Sequence, residues 1–378
     1  MRSKTLALLA VSTGLALALT ACGANSSGGS GGSSTTSASS GGSASGPKVG
    51  VILPDTTSSA RYTEFDAPML TAALKAQGLD PIVQNAQGDV QRFGQLTDTM
   101  ISEGVKVLIL DSIDPASGAA AEQKAQSQGI PVIDYDRINL GGSAKYYVSF
   151  DNTKVGYLQA QALQQATAGK TGQQIISIEG SPTDNNATQV INGQNQIASG
   201  LYASGAWVKK GYQQINNWDN QLANTTFDQL LTANGTKVDG VLVANDGMAG
   251  SVITVLQKYG LAGKVPVTGQ DASAAGLQAI LTGDQYSTVF KPIKLEAQAS
   301  AELASDLIKG DTAAADKLAN QKTHDATANP ARDVASVLEN PISITKANVK
   351  EVVDQGYVKA SDICTGAAAP VCTSLGIH

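Results

Sequence analysis

Histidine is nearly missing from this chain. Of 378 residues only two are His, His324 and the terminal His378. His is the commonest metal ligand and the ordinary acid–base group near neutral pH, so a His-based metal centre or catalytic site is excluded as the organising feature. An excess of basic residues is also missing. Lys and Arg number 26 against 32 Asp and Glu, a net charge of -6, so no basic face is available for nucleic acid. No nucleophile-elbow motif and no helix-turn-helix pattern occurs. No long hydrophobic run occurs either. The longest, Leu6 to Leu19, is too short to span a bilayer comfortably. No catalytic residue, cofactor or bound metal is expected.

Cysteine is scarce, and its three copies divide by position. Cys22 closes the leader, and Cys364 and Cys372 stand near the C-terminus. Residues 1–22 read as a signal peptide, with Arg2 and Lys4 before the apolar run. The ending Leu19-Thr20-Ala21-Cys22 resembles the lipobox of bacterial lipoproteins, which implies lipidation at Cys22; an ordinary secretory cleavage site is the alternative. Residues 23–47 are almost wholly Gly, Ser, Ala, Thr and Asn. Such a stretch cannot bury enough apolar surface to offset its ordering entropy and reads as a disordered tether. The chain is therefore expected outside the cytoplasm, held to the outer face of the cell membrane by lipid alone. Export favours oxidation, and Cys364 and Cys372 are expected to form a disulfide that pins the C-terminal tail.

What is present from Lys48 onward is a regular alternation of apolar runs and helical periodicity. Strands are expected at 49–54, 80–83, 105–110, 130–135 and 146–150, with helices at 63–77, 91–104 and 116–128 between them. After Asp151 the alternation restarts. Helices are expected at 153–167, 185–204, 221–234, 250–259, 274–281 and 294–309. Strands are expected at 174–179, 207–212, 238–244, 265–269 and 286–290, with a short strand at 341–344 and a last helical turn at 346–355. This spacing means right-handed βαβ units with covered parallel sheets. The fold class is α/β, with two successive doubly wound, Rossmann-like halves. The stretch Val132–Gly156 lies where one half passes into the next and reads as a cleft floor.

Polar groups gather just after the strands, where open α/β sheets bind ligands. They include Asp111, Asp114, Asp134, Asp136, Arg137, Asp151, Asn152, Asp184, Asn185, Asn186, Asn245, Asp246, Gln270, Asp271 and Lys291. Taken singly, each Asp or Asn is more economically a helix N-cap. Their recurrence in both halves, mixed with Arg and Lys, suits a neutral polyhydroxylated ligand. Hydroxyls both donate and accept, whereas an anion site would be dominated by cations and helix N-termini. Trp218, in the polar loop Asn216–Asn220, or Tyr62 offers a flat face for a sugar ring. Trp207 reads equally well as core.

The segments SSARY (58–62), YDR (135–137), FDN (150–152), SPTDNNA (181–187), AND (244–246), GQDA (269–272) and FKP (290–292) resemble, in the same order, the sugar-binding proteins of bacterial ABC importers. The resemblance covers about 48–353. It points to the D-xylose-binding group and its glucose/galactose-binding relatives. It implies the type I periplasmic-binding-protein fold, two lobes joined by a three-segment hinge and closing on one monosaccharide. Xylose is the first expectation, glucose or galactose the next. Carried over by position, Arg61, Arg137, Asn185, Asn245, Asp271 and Lys291 bind the sugar, with Asp136 and Asp184 as further polar groups. Tyr62 stands where relatives usually have Trp, and Trp218 fits a second aromatic. Lobe 1 is expected at 48–149 plus 292–324, and lobe 2 at 150–291 plus 325–378 with the C-terminal tail. Phe150, Asp151 and Asn152 form the first hinge crossing. The implied partner is an ABC transporter permease served by a monomer. A sugar sensor acting on a membrane signalling receptor is the alternative, and a carbohydrate-active enzyme using paired carboxylates is less favoured.

Overall fold

The computed structural model describes residues 46–378. The signal peptide, Cys22 and nearly all of the tether lie outside the described residues. The first half runs β1 (Lys48–Leu53), a π-helical turn (Tyr62–Asp66), α1 (Ala67–Ala76), β2 (Asp80–Asn85), α2 (Val90–Ser102), β3 (Val107–Leu110), α3 (Pro115–Ser127), β4 (Val132–Tyr135) and β5 (Tyr146–Phe150). The second runs α4 (Asn152–Ala166), β6 (Gln173–Glu179), α5 (Asn185–Ala203), β7 (Trp207–Gln214), α6 (Asn220–Ala233), β8 (Gly240–Val243), α7 (Asp246–Lys258), α8 (Ala274–Thr282) and β9 (Ser287–Phe290). Then follow α9 (Ile293–Lys309), α10 (Thr312–Leu318), β10 (Gln321–Asp325), β11 (Arg332–Glu339), β12 (Ile342–Thr345), α11 (Lys350–Asp354), α12 (Ala360–Ile363) and α13 (Ala369–Leu375).

Lobe 1 is built on a seven-stranded sheet of order β10-β11-β5-β4-β3-β1-β2, parallel except for the β10–β11 pair. Its inner strands β1 and β3 are apolar on both faces because both faces are covered. Val49, Val51 and Ile109 pack with Leu70, Leu74 and Leu303 on the α1/α9 side. Ile52, Leu108 and Leu110 pack with Phe93, Met100 and Ala121 on the α2/α3 side. Gly50 makes this second face close-packed: a Cβ there would stand 2.7 Å from both Leu108 Cδ2 and Met100 Sδ.

Lobe 2 carries the parallel sheet β7-β6-β8 and the antiparallel pair β12–β9. The strand expected at 265–269 is reduced to a single parallel bridge between Val241 and Val267. The reason is local. Thr268 Oγ1 accepts from Val243 N at 2.8 Å and donates to Val243 O at 3.1 Å, so a hydroxyl takes the place of the next backbone rung. Tyr286 N donates to Val267 O at 2.9 Å, which sets β9 alongside.

The chain passes between lobes after β5, after β9 and after β11. Asp151 N donates to Glu339 O at 3.0 Å, so the first and third crossings lie side by side. This corrects the expected boundary at 325. The hairpin β10–β11 stands in the lobe 1 sheet, with β11 parallel to β5, so residues 325–339 belong to lobe 1. The sequence predicts neither strand, because β10, Gln-Lys-Thr-His-Asp, is a polar edge strand and β11 mixes charged and apolar residues. The C-terminal helices pack onto lobe 2, where Ile363, Cys372 and Ile377 join Leu277, Ile280 and Phe290 in one core. Cys364 and Cys372 are bonded, with sulfurs 2.02 Å apart.

Candidate functional site

The strand ends of the two lobes line a small cavity of about 20 Å³. Lobe 1 contributes Ser58, Ser59, Arg61 and Tyr62 from the segment after β1, and Asp136 and Arg137 from the turn after β4. Lobe 2 contributes Asn152 at the start of α4, Asp184, Asn186 and Val190 from the N-terminal part of α5, and Trp218, Asn245, Gln270 and Asp271 from its loops. Lys291 comes from the second crossing.

The turn at Asp136 explains how β4 delivers its charges. Asp136 has φ 56°, a left-handed conformation that ordinary residues adopt rarely. It is held there by its own carbonyl. Tyr147 Oη, Ser149 Oγ and Asn186 Nδ2 all donate to Asp136 O at 2.8 Å. The carboxylate then accepts from Arg61 Nη1 at 2.7 Å and from Tyr62 Oη at 3.0 Å. Burial opposes its ionisation, but Arg61, Lys291 and Arg137 together hold the carboxyl down at about 2.

Arg61 is almost fully engaged. Its Nε and Nη2 fork Asp66 at 2.9 and 2.7 Å, Nη2 reaches Glu296 Oε2 at 2.8 Å, and Nη1 reaches Asp136. A guanidinium has five N–H groups, so only one remains for a ligand. Arg137 is held more loosely. It ion-pairs with Asp184 Oδ2 at 3.2 Å, donates to Tyr62 Oη at 2.9 Å and to Ser112 O at 3.2 Å, and lies 3.8 Å from Asp111 Oδ1. Tyr62 was expected to act through its ring. Its hydroxyl also acts as the relay between Asp136 and Arg137.

In lobe 2, Trp218 Nε1 donates to Asp184 Oδ2 at 3.1 Å, and its ring lies against the backbone of Gly180, where a Cβ would stand 2.2 Å from the indole. Trp207 is core, its Nε1 donating to Thr167 Oγ1. Lys291 Nζ lies 3.1 Å from Asp271 Oδ1. Gln270 Oε1, buried at the cavity wall, has no hydrogen-bond partner among the described residues.

Cap and site turn out to be compatible roles. Asp184 caps α5 through Asn186 N and Asn245 caps α7 through Met248 N, and both also face the cavity. Asp151 caps α4 through Lys154 N and is off the cavity wall, whereas its neighbour Asn152 is on it. Asn185 is the one expected sugar-binding residue that the fold keeps off the wall. It is the first residue of α5, and the cap at Asp184 sets a helical phase in which Asn186 faces inward instead. Ser58, Ser59 and Val190 also line the cavity, as do Asn186 and Gln270, which stand among the strand-end polar groups but not among the residues carried over by resemblance. All but Val190 adjoin or belong to the quoted motifs. Asp66 and Glu296, which lock Arg61, carry no comparable signal.

The cavity wall thus sets Arg61, Arg137 and Lys291 against Asp136, Asp184 and Asp271, with amides and hydroxyls between them. Cations and carboxylates balance, which favours a neutral ligand rich in groups that donate and accept. Among the described residues, no group of His, Cys, Asp and Glu is placed to hold a metal ion, and no helix is long and apolar enough to cross a membrane.

Comparison with known proteins agrees with this geometry. Residues 49–312 match the family model described as a periplasmic binding protein domain. The D-xylose-binding periplasmic protein of Escherichia coli is 35% identical over 317 residues, 84% of this chain and 92% of that protein. The multiple sugar-binding periplasmic receptor ChvE of Rhizobium radiobacter is 34% identical over 332 residues, 83% of this chain and 92% of that one. An ABC transporter solute binding protein from Clostridium phytofermentans, solved with bound β-D-glucose, superposes with a TM-score of 0.76 at 27% identity, covering 84% of this chain and 99% of that chain. The two-lobed α/β fold, the facing strand ends and these relatives together make the chain a member of the periplasmic binding protein family, a binding protein and not an enzyme.

Proposed function

We propose that this protein binds one monosaccharide between its lobes and hands it to an ABC transporter permease. D-xylose is the first expectation, with glucose or galactose next. The observation that carries this reading is the balanced wall of Arg61, Arg137 and Lys291 against Asp136, Asp184 and Asp271 where the strand ends of the two lobes meet. Charge-assisted bonds to sugar hydroxyls are the stronger kind. The names of the Escherichia coli and Rhizobium radiobacter relatives support the sugar. The ring-binding groups are Arg61, Tyr62, Asp136, Arg137, Asp184, Asn186, Trp218, Asn245, Asp271 and Lys291. The three crossings act as the hinge, and sugar binding selects the closed form that the permease reads. The protein works as a monomer outside the cytoplasm, anchored by lipid at Cys22 and with its tail pinned by the Cys364–Cys372 disulfide. The word receptor in the name of the Rhizobium radiobacter relative favours, as a second reading, a sensor that passes ligand state to a membrane signalling protein.

Titration calorimetry of the protein against xylose, glucose, galactose, arabinose and ribose tests the reading. One-to-one binding of at least one of them, with the sugar recovered unchanged, is expected. No heat with any of the five overturns it.

A further inference from the structure

Asp111 is fully buried, yet neither of its carboxylate oxygens has a hydrogen-bond partner among the described residues. It stands at the C-terminal end of β3, its backbone fixed by Asp111 N donating to Ile52 O at 2.9 Å. It does not line the cavity. Its nearest cation is Arg137, whose Nε lies 3.8 Å from Asp111 Oδ1 and 3.2 Å from Asp184 Oδ2. One guanidinium nitrogen therefore sits between two carboxylates, one from each lobe, nearer the lobe 2 partner. A buried acceptor left unpaired costs stability, and nothing else in this arrangement explains why a carboxylate stands there.

The lobes are bridged across the cavity by Asn186 to Asp136 O, Ser59 to Asp271, Asn245 to Ser58 O and Arg137 to Asp184. A ligand enters only when these contacts part. Asp184 then leaves with lobe 2, while Asp111 and Arg137 stay together in lobe 1. We propose that Asp111 is a positioning residue, the resting partner of Arg137 in the open protein, and that closure transfers the guanidinium from Asp111 to Asp184. This rests on the reading of the cavity as the ligand site. In the closed form burial, then the charge of Asp136, pushes the Asp111 carboxyl well up, which agrees with a carboxylate stranded by its cation. A neutral isostere at 111 takes more from the open form than from the closed one, because the open form has no Asp184 to replace it.

The test uses the full chain with Cys22→Ala and a dye pair at Val90→Cys and Leu222→Cys. These exposed positions lie on lobe 1 and lobe 2. Asp111→Asn should shift the ligand-free lobe separation toward the closed value and slow sugar release by roughly 3- to 10-fold, because release passes through the open form that the substitution weakens. Asp184→Asn should do the reverse, opening the ligand-free protein and speeding release. A merely structural role for Asp111 would not give opposite signs at the two positions. An unchanged or more open separation in Asp111→Asn overturns the proposal, even where the wild type binds sugar normally. Should no sugar bind, the ligand-free separations still decide it. Should Asp111→Asn fail to fold, Asp111→Ser carries the same expected sign.

Discussion

Ser59 Oγ donates to Asp271 Oδ2 at 2.7 Å, joining residues 212 apart in the chain and carried by different lobes. The same Asp271 carboxylate faces Lys291 with its other oxygen. A carboxylate thus shared between a small hydroxyl across the cleft and a lysine on its own side is well placed to exchange the hydroxyl for one from a ligand. The closed form then costs few bonds that a sugar cannot replace.

Arg137 and Arg61 separate binding from folding. Arg137→Ala should abolish sugar binding, by roughly 100-fold or more, while the circular dichroism spectrum still shows the folded protein. Retained affinity by calorimetry would place the ligand elsewhere.

Arg61→Met should fail in a different way. It leaves Asp66, Asp136 and Glu296 buried around a lost cation, and breaking a buried ion cluster from one side costs about 3–5 kcal/mol. Urea unfolding should show that loss without any ligand present. A stability within 1 kcal/mol of wild type, on the order of a surface substitution, would count against the cluster.

The neighbouring amides at the start of α5 give a sharper test. Asn186→Ala removes a cavity-wall group that also donates to Asp136 O, and should weaken sugar binding by about 1–3 kcal/mol. Asn185→Ala, off the wall, should leave affinity within about a factor of two. The opposite ranking in calorimetry would restore Asn185 as the sugar contact.

Glu179 makes stability depend on pH. Burial, eased by the Gln194 amide, raises its carboxyl from 4.5 to about 8. Between those values the unfolded chain has lost a proton that the folded chain keeps, so stability falls as pH rises through this window and levels off above it. Glu179→Gln removes the effect. Its gain over wild type should be near zero at pH 4 and grow to about 3–5 kcal/mol by pH 9. Parallel pH curves for the two proteins in chemical denaturation would refute this.

Much of this was legible in the sequence because α/β architecture writes itself in unbroken apolar runs. β1 and β3 are such runs, and the charges that follow β4, Asp136 and Arg137, mark the cleft. The failures share a cause. β10 and β11 are polar or mixed and owe their strand form to β5, not to their own composition. The strand expected at Val265–Gly269 gave way to the Thr268 hydroxyl. Asn185 and Asn186 differ only in helical phase, which the Asp184 cap decides in three dimensions. Glu296 reaches Arg61 from a helix 235 residues away, and no local pattern announces such a partner.

The place of β11 in its sheet has a consequence for how the protein is made. The strand that covers the edge of β5 comes from residues 332–339, so lobe 1 stays an unfinished sheet until most of the chain has left the ribosome and all of lobe 2's strands except β12 have been synthesised. An unpaired interior edge is a template for pairing with other chains. Lobe 1 is therefore not a module that can be cut out and expressed alone, and a truncation ahead of Arg332 should yield aggregate instead of a folded lobe.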